Sequence, residues 1–249
     1  MGISGLVITF NEEKHIEKCI KGLQEVCDEV IIIDSNSKDN TVYIAESLGA
    51  KVISQDFLGD GPQRIFGLQF CGNDWILNLD ADEFLDTDSY HFLRSKEYLN
   101  LPYDAYSFRR RNFLKDKEIN YADWYPSNAC RFFNKKTASP SSQIVHQHVI
   151  ATNMLKSKMH LVHYAWDSFH HLIAKKNQYT DWQVNEFVNQ GKRAKSFSPV
   201  FHGVAAFFKA YFFKKGVLHG IDGVTFSLIQ SFFSYMKYAK ILEAQREKK

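Results

Sequence analysis

Along roughly the first hundred residues, apolar runs and polar turns follow one another in a strand–helix rhythm. Ile3–Phe10 is apolar and β-branched and reads as a buried strand. Glu13–Val26 carries Ile16, Cys19, Ile20 and Leu23 at helical spacing. Val30–Ile33 is a second buried strand ending at Asp34, and Val52–Ile53 is a short third. The polar turn Ser35-Asn-Ser-Lys-Asp39 is suited to cap a helix over Thr41–Leu48, which Gly49 is placed to stop. Another helix opens at Gly59–Pro62 and runs through Phe70, followed by the strand Trp75–Leu79. This alternating order predicts an α/β fold with a mainly parallel sheet covered by helices.

The pattern changes after Tyr103. Ala105–Phe108 and Cys130–Phe133 read as strands with the basic run Arg109–Arg111 between them, and Val145–Ile150 and Leu161–Tyr164 add two short ones. From Ser168 the chain reads as helical, with a break before Pro199. Two domains are expected, an α/β part over residues 1–165 and a helical part over 166–249.

Composition narrows the function classes. With 45% hydrophobic and 24% charged residues the chain is globular rather than disordered. A net charge of +3 gives no argument for nucleic acid. Cys19, Cys27, Cys71 and Cys130 are scattered, with no C-x-x-C pair, and are expected to be reduced thiols in the cytoplasm. The opening residues lack the basic n-region of a signal peptide, and no apolar run approaches the ~20 residues of a membrane span.

The chemistry concentrates where strands end. Trp75-Ile-Leu-Asn-Leu-Asp80-Ala-Asp82-Glu83 is an apolar strand that closes on three carboxylates. Ligands of open α/β sheets gather at the carboxyl ends of parallel strands. A carboxylate pair there can hold a hard divalent cation together with substrate phosphates. A solvated acidic turn would look the same, so the neighbouring strand ends decide. The first ends in Asn11-Glu12-Glu13 and the second in Asp34-Ser-Asn-Ser-Lys-Asp39-Asn-Thr41. Asp34 is suited to accept hydrogen bonds from a base or ribose. Asn11 and Asp39 also suit simple helix caps.

The ordered set N-E-E, D-S-x-S-x-D-x-T and L-D-A-D-E resembles family 2 of the inverting glycosyltransferases. Leu58-Gly-Asp-Gly-Pro-Gln63-Arg64, Trp124-Tyr125-Pro126, Arg131-Phe132-Phe133 and Lys209–Gly216 are similar to the bacterial lipopolysaccharide-core β-1,4-glucosyltransferase subgroup. The resemblance implies a GT-A (nucleotide-diphospho-sugar transferase) fold over 1–165 and Mg²⁺ or Mn²⁺ as cofactor. It implies that Asp34 contacts the uracil of a UDP-sugar and that Asn11 and Glu12 line the nucleotide pocket. Asp80 would sit near ribose and metal-bound phosphates, Asp82 would be the direct metal ligand, and Gln63 and Arg64 would lie near the diphosphate or sugar. The donor would be a UDP-sugar, glucose first, and the acceptor a lipid-linked saccharide of the lipopolysaccharide core.

An inverting displacement is helped by a carboxylate that takes the acceptor proton. The subgroup's V-H-[E/D] motif reads Val145-His146-Gln147 here, and a Gln amide cannot take a proton usefully. Asp123, Glu83, His146 and His148 are the remaining candidates for the base. Trp124 offers a flat ring to a sugar or to the core, and Arg131 and Arg109–Arg111 suit an anionic acceptor or a solvated strand. The histidines at 146/148, 160/163 and 170/171 lack nearby cysteines, and polar lining outweighs a zinc site. The aromatic and basic residues after Phe197 predict a peripheral membrane contact, which the resemblance would put at the inner, cytoplasmic face of the bacterial inner membrane. Two rivals stand beside this reading: a non-catalytic nucleotide-sugar-binding scaffold, and a nucleotidyltransferase. The latter would want a Gly-rich basic loop where Asn11-Glu12-Glu13 stands.

Overall fold

The computed structural model describes residues 2–122, 124–143 and 148–247. The chain runs β1 (Ile3–Thr9), α1 (Ile16–Gln24), β2 (Glu29–Asp34), α2 (Thr41–Ser47), β3 (Lys51–Ser54), α3 (Asp60–Leu68), β4 (Trp75–Asp80), β5 (Glu83–Leu85) and α4 (Thr87–Ser95). There follow β6 (Ala105–Leu114), β7 (Lys117–Ile119), β8 (Ser127–Asn134), β9 (Ser139–Pro140), β10 (Val149–Ile150) and β11 (Met154–Trp166). The helices α5 (Phe169–Asn189), α6 (Ser198–Phe208) and α7 (Gly220–Glu247) complete it, with a π-turn over Lys209–Phe213 and a 3₁₀ turn over Gly216–His219 between the last two. Contacts divide it into two units: the residues up to Arg111 with Ser127–Tyr164, and Asn112–Pro126 with the chain from Ala165 on.

The first unit is built on a sheet in the order β3-β2-β1-β4-β8-β6-β11-β5. The pairs β3–β2, β2–β1 and β1–β4 are parallel, as the apolar runs lead one to expect; β4–β8, β8–β6 and β11–β5 are antiparallel. The amphipathic face of α1 buries Ile16, Cys19, Ile20 and Leu23 in the same core as Val7, Ile32 and Leu77. Gly49 ends α2 at φ 78°, a left-handed position that glycine enters without a Cβ penalty. Beyond β4 the core is aromatic: Trp75 stacks on Phe132 at 4.7 Å and meets Tyr98 edge-on at 4.9 Å.

Three boundaries differ from the sequence pattern. The helix expected from Glu13 starts at Ile16, because Glu12 and Glu13 are tied into the loops instead. Arg109–Arg111 do not separate two strands but continue β6, with Arg109 opposite Asn128 and Arg110 opposite Ser127. Ladder pairing with β8 carries the strand through the charges, and all three arginines are half-buried. The strand expected at Leu161–Tyr164 is the late part of β11, whose mixed polar residues hide its length from an apolar count. Of the strand expected over Val145–Ile150, only β10 falls within the described residues.

The second unit packs α5, α6 and α7 with the 112–126 segment. Trp124, Trp166, Leu172 and Phe226 form its core. Ser168 caps α5 by accepting from the His171 backbone N–H at 3.0 Å. α6 and α7 lie close enough that Ser231 Oγ donates to the Gly203 carbonyl at 2.8 Å, and His202 stacks on Tyr238 at 3.8 Å. Among the described residues no helix is long and apolar enough to cross a membrane.

Candidate active site

Register brings the strand ends together. Thr9 stands opposite Asp34 and Ile8 opposite Asp80, so the loops after β1, β2 and β4 leave one edge of the sheet. The first two loops are knitted to each other. The Asn11 backbone N–H donates to Ser37 Oγ at 2.8 Å, and Asn11 Oδ1 accepts from the Lys38 N–H at 2.8 Å. Ser37 in turn donates its N–H and its hydroxyl to the Asp34 carboxylate, at 2.8 and 2.5 Å. The Glu12 N–H donates to Thr41 Oγ1 at 2.8 Å. Asp39 accepts from the Thr41 N–H and hydroxyl and from the Glu13 N–H. Its slight burial pushes its pKa up, but these hydrogen bonds outweigh that and lower it. Asn11 adopts φ 54°, so it shapes the turn rather than capping α1. Asp34 is buried beside Thr9, whose Oγ1 is buried without a hydrogen-bond partner.

The end of β4 holds a charge cluster. Asp80 is gripped by two arginines, Arg64 on one carboxylate oxygen and Arg131 on the other. Arg64 comes from α3, where it also bonds Asp60 at 2.9 Å and Asn78. Arg131 comes from β8 and reaches Glu83 with Nε at 2.7 Å and Nη2 at 2.8 Å. Glu83 also accepts the Asp80 N–H at 3.1 Å, and Arg110 lies 3.7 Å away. Both arginines and Glu83 are buried. Burial pushes the Asp80 carboxyl up, but Arg131 and Arg64 outweigh it and hold it well below the usual carboxylate range. The same ion pairs raise both guanidinium pKa values against the opposing effect of burial. Gln63, fully buried, donates to Ser35 Oγ at 3.2 Å and the Gln55 carbonyl at 3.3 Å, and accepts the Leu58 N–H at 3.1 Å. It braces α3 against the loop after β2.

Asp82 is oriented differently. Its carboxylate faces His163 of β11, Nε2 to Oδ2 3.4 Å, and both side chains are nearly buried. The pairing of β5 with β11 sets this up: Glu83 is opposite His163, and the Tyr164 N–H donates to the Asp82 carbonyl at 3.0 Å. Sequence reasoning missed His163 as a partner of Asp82. The spacing His160-x-x-His163 had marked it only as a weak zinc candidate, and topology alone supplies the carboxylate. Beneath the site Cys19 is buried, and burial first, then Glu83, Asp82 and Asp80, push its thiol far up. Burial is the larger cause, and the three carboxylates add to it.

A divalent cation at this edge would find one carboxylate oxygen of Asp82 and one imidazole nitrogen of His163 as donors, since Asp80 is engaged by arginines. At 3.4 Å from one another, Asp82 Oδ2 and His163 Nε2 are near enough to face the same ion. Among the described residues no group of three or more His, Cys, Asp and Glu side chains could hold a metal unaided. Remaining positions would fall to substrate phosphates and water, the usual mode for Mg²⁺.

The family model for glycosyl transferase family 2 matches residues 4–215. The chain belongs to that family, and it is a transferase. It is 35% identical over 257 residues to a glycosyltransferase of Rickettsia bellii, covering 97% of this chain and 86% of that one. It is 26% identical over 255 residues to the lipopolysaccharide core biosynthesis glycosyltransferase LpsC of Rhizobium meliloti, covering 97% and 92%. Among solved structures it is similar to the mannosyltransferase PcManGT of Pyrobaculum calidifontis in complex with GDP-mannose and Mn²⁺. That likeness has a TM-score of 0.57, covers 96% of this chain and 86% of the other, and rests on 14% identity. It shows the GT-A-like α/β fold.

For this glycosyltransferase the structure thus gathers Asn11, Glu12, Asp34, Gln63, Arg64, Asp80, Asp82, Glu83 and Arg131 in the first unit. Trp124 belongs to the second, in its core: it meets Trp166 edge-on at 4.4 Å, and Lys176 lies 4.5 Å over its ring. The face expected to meet a sugar is occupied by packing. Asp123, His146 and Gln147 lie outside the described residues. His148 is exposed, with its N–H donating to Ser141 Oγ at 3.2 Å.

Proposed function

We propose that this glycosyltransferase moves a hexose, with inversion, from a UDP-sugar to a lipid-linked saccharide, with UDP-glucose as donor and lipopolysaccharide core as the pathway. The observation that carries this is the convergence of Asn11, Asp34 and the Asp80–Asp82 pair on one sheet edge. A nucleotide diphosphate matches that edge: a carboxylate for the base at one strand end, and a cation site for the diphosphate at another. LpsC, named for lipopolysaccharide core biosynthesis, supports the acceptor class. PcManGT, solved with a nucleotide-sugar and Mn²⁺, supports a cation-assisted donor site.

Asp82 and His163 would hold Mg²⁺ or Mn²⁺, which when bound would stabilise charge developing on the departing diphosphate. Arg131 fixes Asp80 and Glu83, so that Asp82 alone of the three carboxylates is turned to His163. With both its oxygens engaged, Glu83 is poorly placed to take a proton from the acceptor. That leaves Asp123 as the foremost carboxylate for the base. Exposed apolar residues of the second unit, among them Phe197, Phe201 and Phe213, support peripheral attachment to the cytoplasmic face of a membrane.

Purified protein should release UDP from UDP-glucose when given a lipid-linked core saccharide and Mg²⁺ or Mn²⁺. Proton NMR of the product should show the anomeric configuration opposite to that of the donor. Retention would overturn the inverting assignment. Absence of both UDP binding and turnover across a panel of UDP-sugars would overturn the donor.

A further inference from the structure

Helices α5, α6 and α7 and the turn after α6 line an open cavity of about 320 Å³ within the second unit. Three lysines line it: Lys176 of α5, Lys209 at the start of the π-turn, and Lys237 of α7. Thr180, Gln183 and Ser234 add hydroxyl and amide groups, and no carboxylate is in the lining among the described residues. Asp181, next to Thr180, is taken up by Lys240 at 2.6 Å. Lys176 is positioned by Gln230, to which it donates at 2.7 Å, and by the Trp124 ring below it. Lys237 is half-buried, and that burial lowers its pKa. Ammonium groups that line one pocket attract an anion, and the partial burial of Lys237 strengthens that attraction.

The surface beside this cavity says which anion. Phe208 and Phe212 flank Lys209 in the chain and are 51% and 52% exposed; Phe213 and Leu218 beyond them are 82% and 74% exposed. Nearly the whole of α6 is apolar, yet only Pro199 and Gly203 are buried. Aromatic residues bared next to lysines match a bilayer interface, where rings enter the acyl boundary and ammonium groups meet phosphates.

We propose that the Lys176–Lys209–Lys237 cavity binds the phosphate of an anionic phospholipid headgroup while the Phe208–Leu218 surface lies in the membrane interface. The inference rests on the peripheral-membrane part of the reading above, and is independent of the donor sugar. About 320 Å³ is at the small end of ligand-pocket volumes and suits a headgroup rather than a whole lipid.

Flotation of the full chain with phosphatidylcholine vesicles, with and without phosphatidylglycerol, tests it. The variants are Lys176→Gln/Lys237→Gln, Lys209→Gln alone, and a control of equal charge, Lys192→Gln/Lys195→Gln, from the exposed segment after α5. Wild type should bind the phosphatidylglycerol vesicles. The cavity double variant should lose affinity by roughly ten-fold or more, and Lys209→Gln by roughly five-fold, since a lysine near an anionic surface contributes about that factor. The control should stay within about two-fold of wild type, as expected if its lysines are remote from the bound phosphate. Lys209 is exposed, so its variant keeps the test sound if the double variant melts early. Equal losses in cavity and control variants would overturn the site in favour of diffuse attraction, with peripheral binding intact. Calorimetry with inorganic phosphate and glycerol 3-phosphate separates the sources: tight binding of either without vesicle binding would make this a soluble-phosphate site. No vesicle binding by wild type would overturn both the site and the peripheral reading, while UDP binding on the same sample reports separately on the donor site.

Discussion

His163 Nε2 stands 3.4 Å from the Asp82 carboxylate, held there by the antiparallel pairing of β11 with β5. Of the acidic residues that close β4, Asp82 is the one turned to an imidazole; Asp80 and Glu83 are turned to Arg131. UDP affinity should therefore depend on a divalent cation through Asp82 and His163 together. Asp82→Ala should abolish the cation-dependent part of UDP binding. His163→Ala should raise the cation concentration required by about 10–100-fold, the range seen when groups supporting a metal site are removed. Calorimetry with UDP in Mn²⁺ and in EDTA measures both. Equal UDP affinity in the two buffers for wild type would refute the site.

Arg131 is expected to matter for stability as much as for chemistry. It is buried between Asp80 and Glu83, so Arg131→Met leaves two carboxylates without their main partner. Breaking a buried pair in this way costs about 3–5 kcal/mol, and urea denaturation should show a loss of that order. A loss below about 1 kcal/mol would mean that water or Arg110 replaces it readily.

The same cluster sets an acid response. The folded-state pKa of Asp80 is depressed by Arg131 and Arg64 against burial. A depressed carboxyl stabilises the fold above its unfolded pKa of about 3.9 and loses that contribution as pH falls towards the folded value. Asp80→Asn should thus be clearly less stable than wild type at neutral pH, and the gap should narrow below about pH 4. Denaturation midpoints across that window check the sign; a gap that widens in acid would contradict the pairing.

Asp34 carries a different expectation. It is buried at the end of β2, with Ser37 donating twice to it. Asp34→Ala should weaken UDP by roughly 1–3 kcal/mol if it leaves a uracil donor unpaired. Because it also releases Ser37 and through it Asn11, the isosteric Asp34→Asn is needed beside it. Loss of UDP affinity in both variants, with unchanged melting of Asp34→Asn, separates recognition from loop support. Unchanged affinity in a folded Asp34→Ala would remove the residue from the site.

How far the sequence reveals this arrangement depends on the range of the interaction. The β1, β2 and β4 strands and the buried face of α1 follow from runs of apolar residues a few positions long, and all are found close to where the pattern puts them. The carboxylates after β4 are equally visible. What hydrophobic periodicity does not encode is partnership across the sheet. Arg131 lies 51 residues from Asp80 and sits within an unremarkable aromatic strand. His163 meets Asp82 only because β11 runs beside β5, and β11 alternates too irregularly to be seen at full length. The placement of Trp124 in the second unit's core shows the converse: an aromatic residue with suitable chemistry for a sugar is claimed by packing with Trp166 and Phe226.

The general base brings these threads to one measurement. The subgroup's acidic position is Gln147 here, and an amide cannot accept the acceptor's proton. Glu83, a second candidate, is engaged by Arg131 and by the Asp80 N–H. If Asp123 takes the proton, Asp123→Asn should lower turnover by about 10²–10⁴-fold while leaving UDP affinity unchanged. Gln147→Glu should raise turnover if the vacant position still faces the acceptor. Glu83→Gln is the control that separates chemistry from scaffolding: it should lower the unfolding free energy through Arg131 without a turnover loss at temperatures where the variant stays folded. Steady-state rates with UDP-glucose and a lipid-linked acceptor, taken alongside melting curves, give all three readings. A wild type indifferent to Asp123→Asn and Gln147→Glu, but silenced by Glu83→Gln while folded, would move the base to Glu83. It would then require the Arg131 pair to open during turnover.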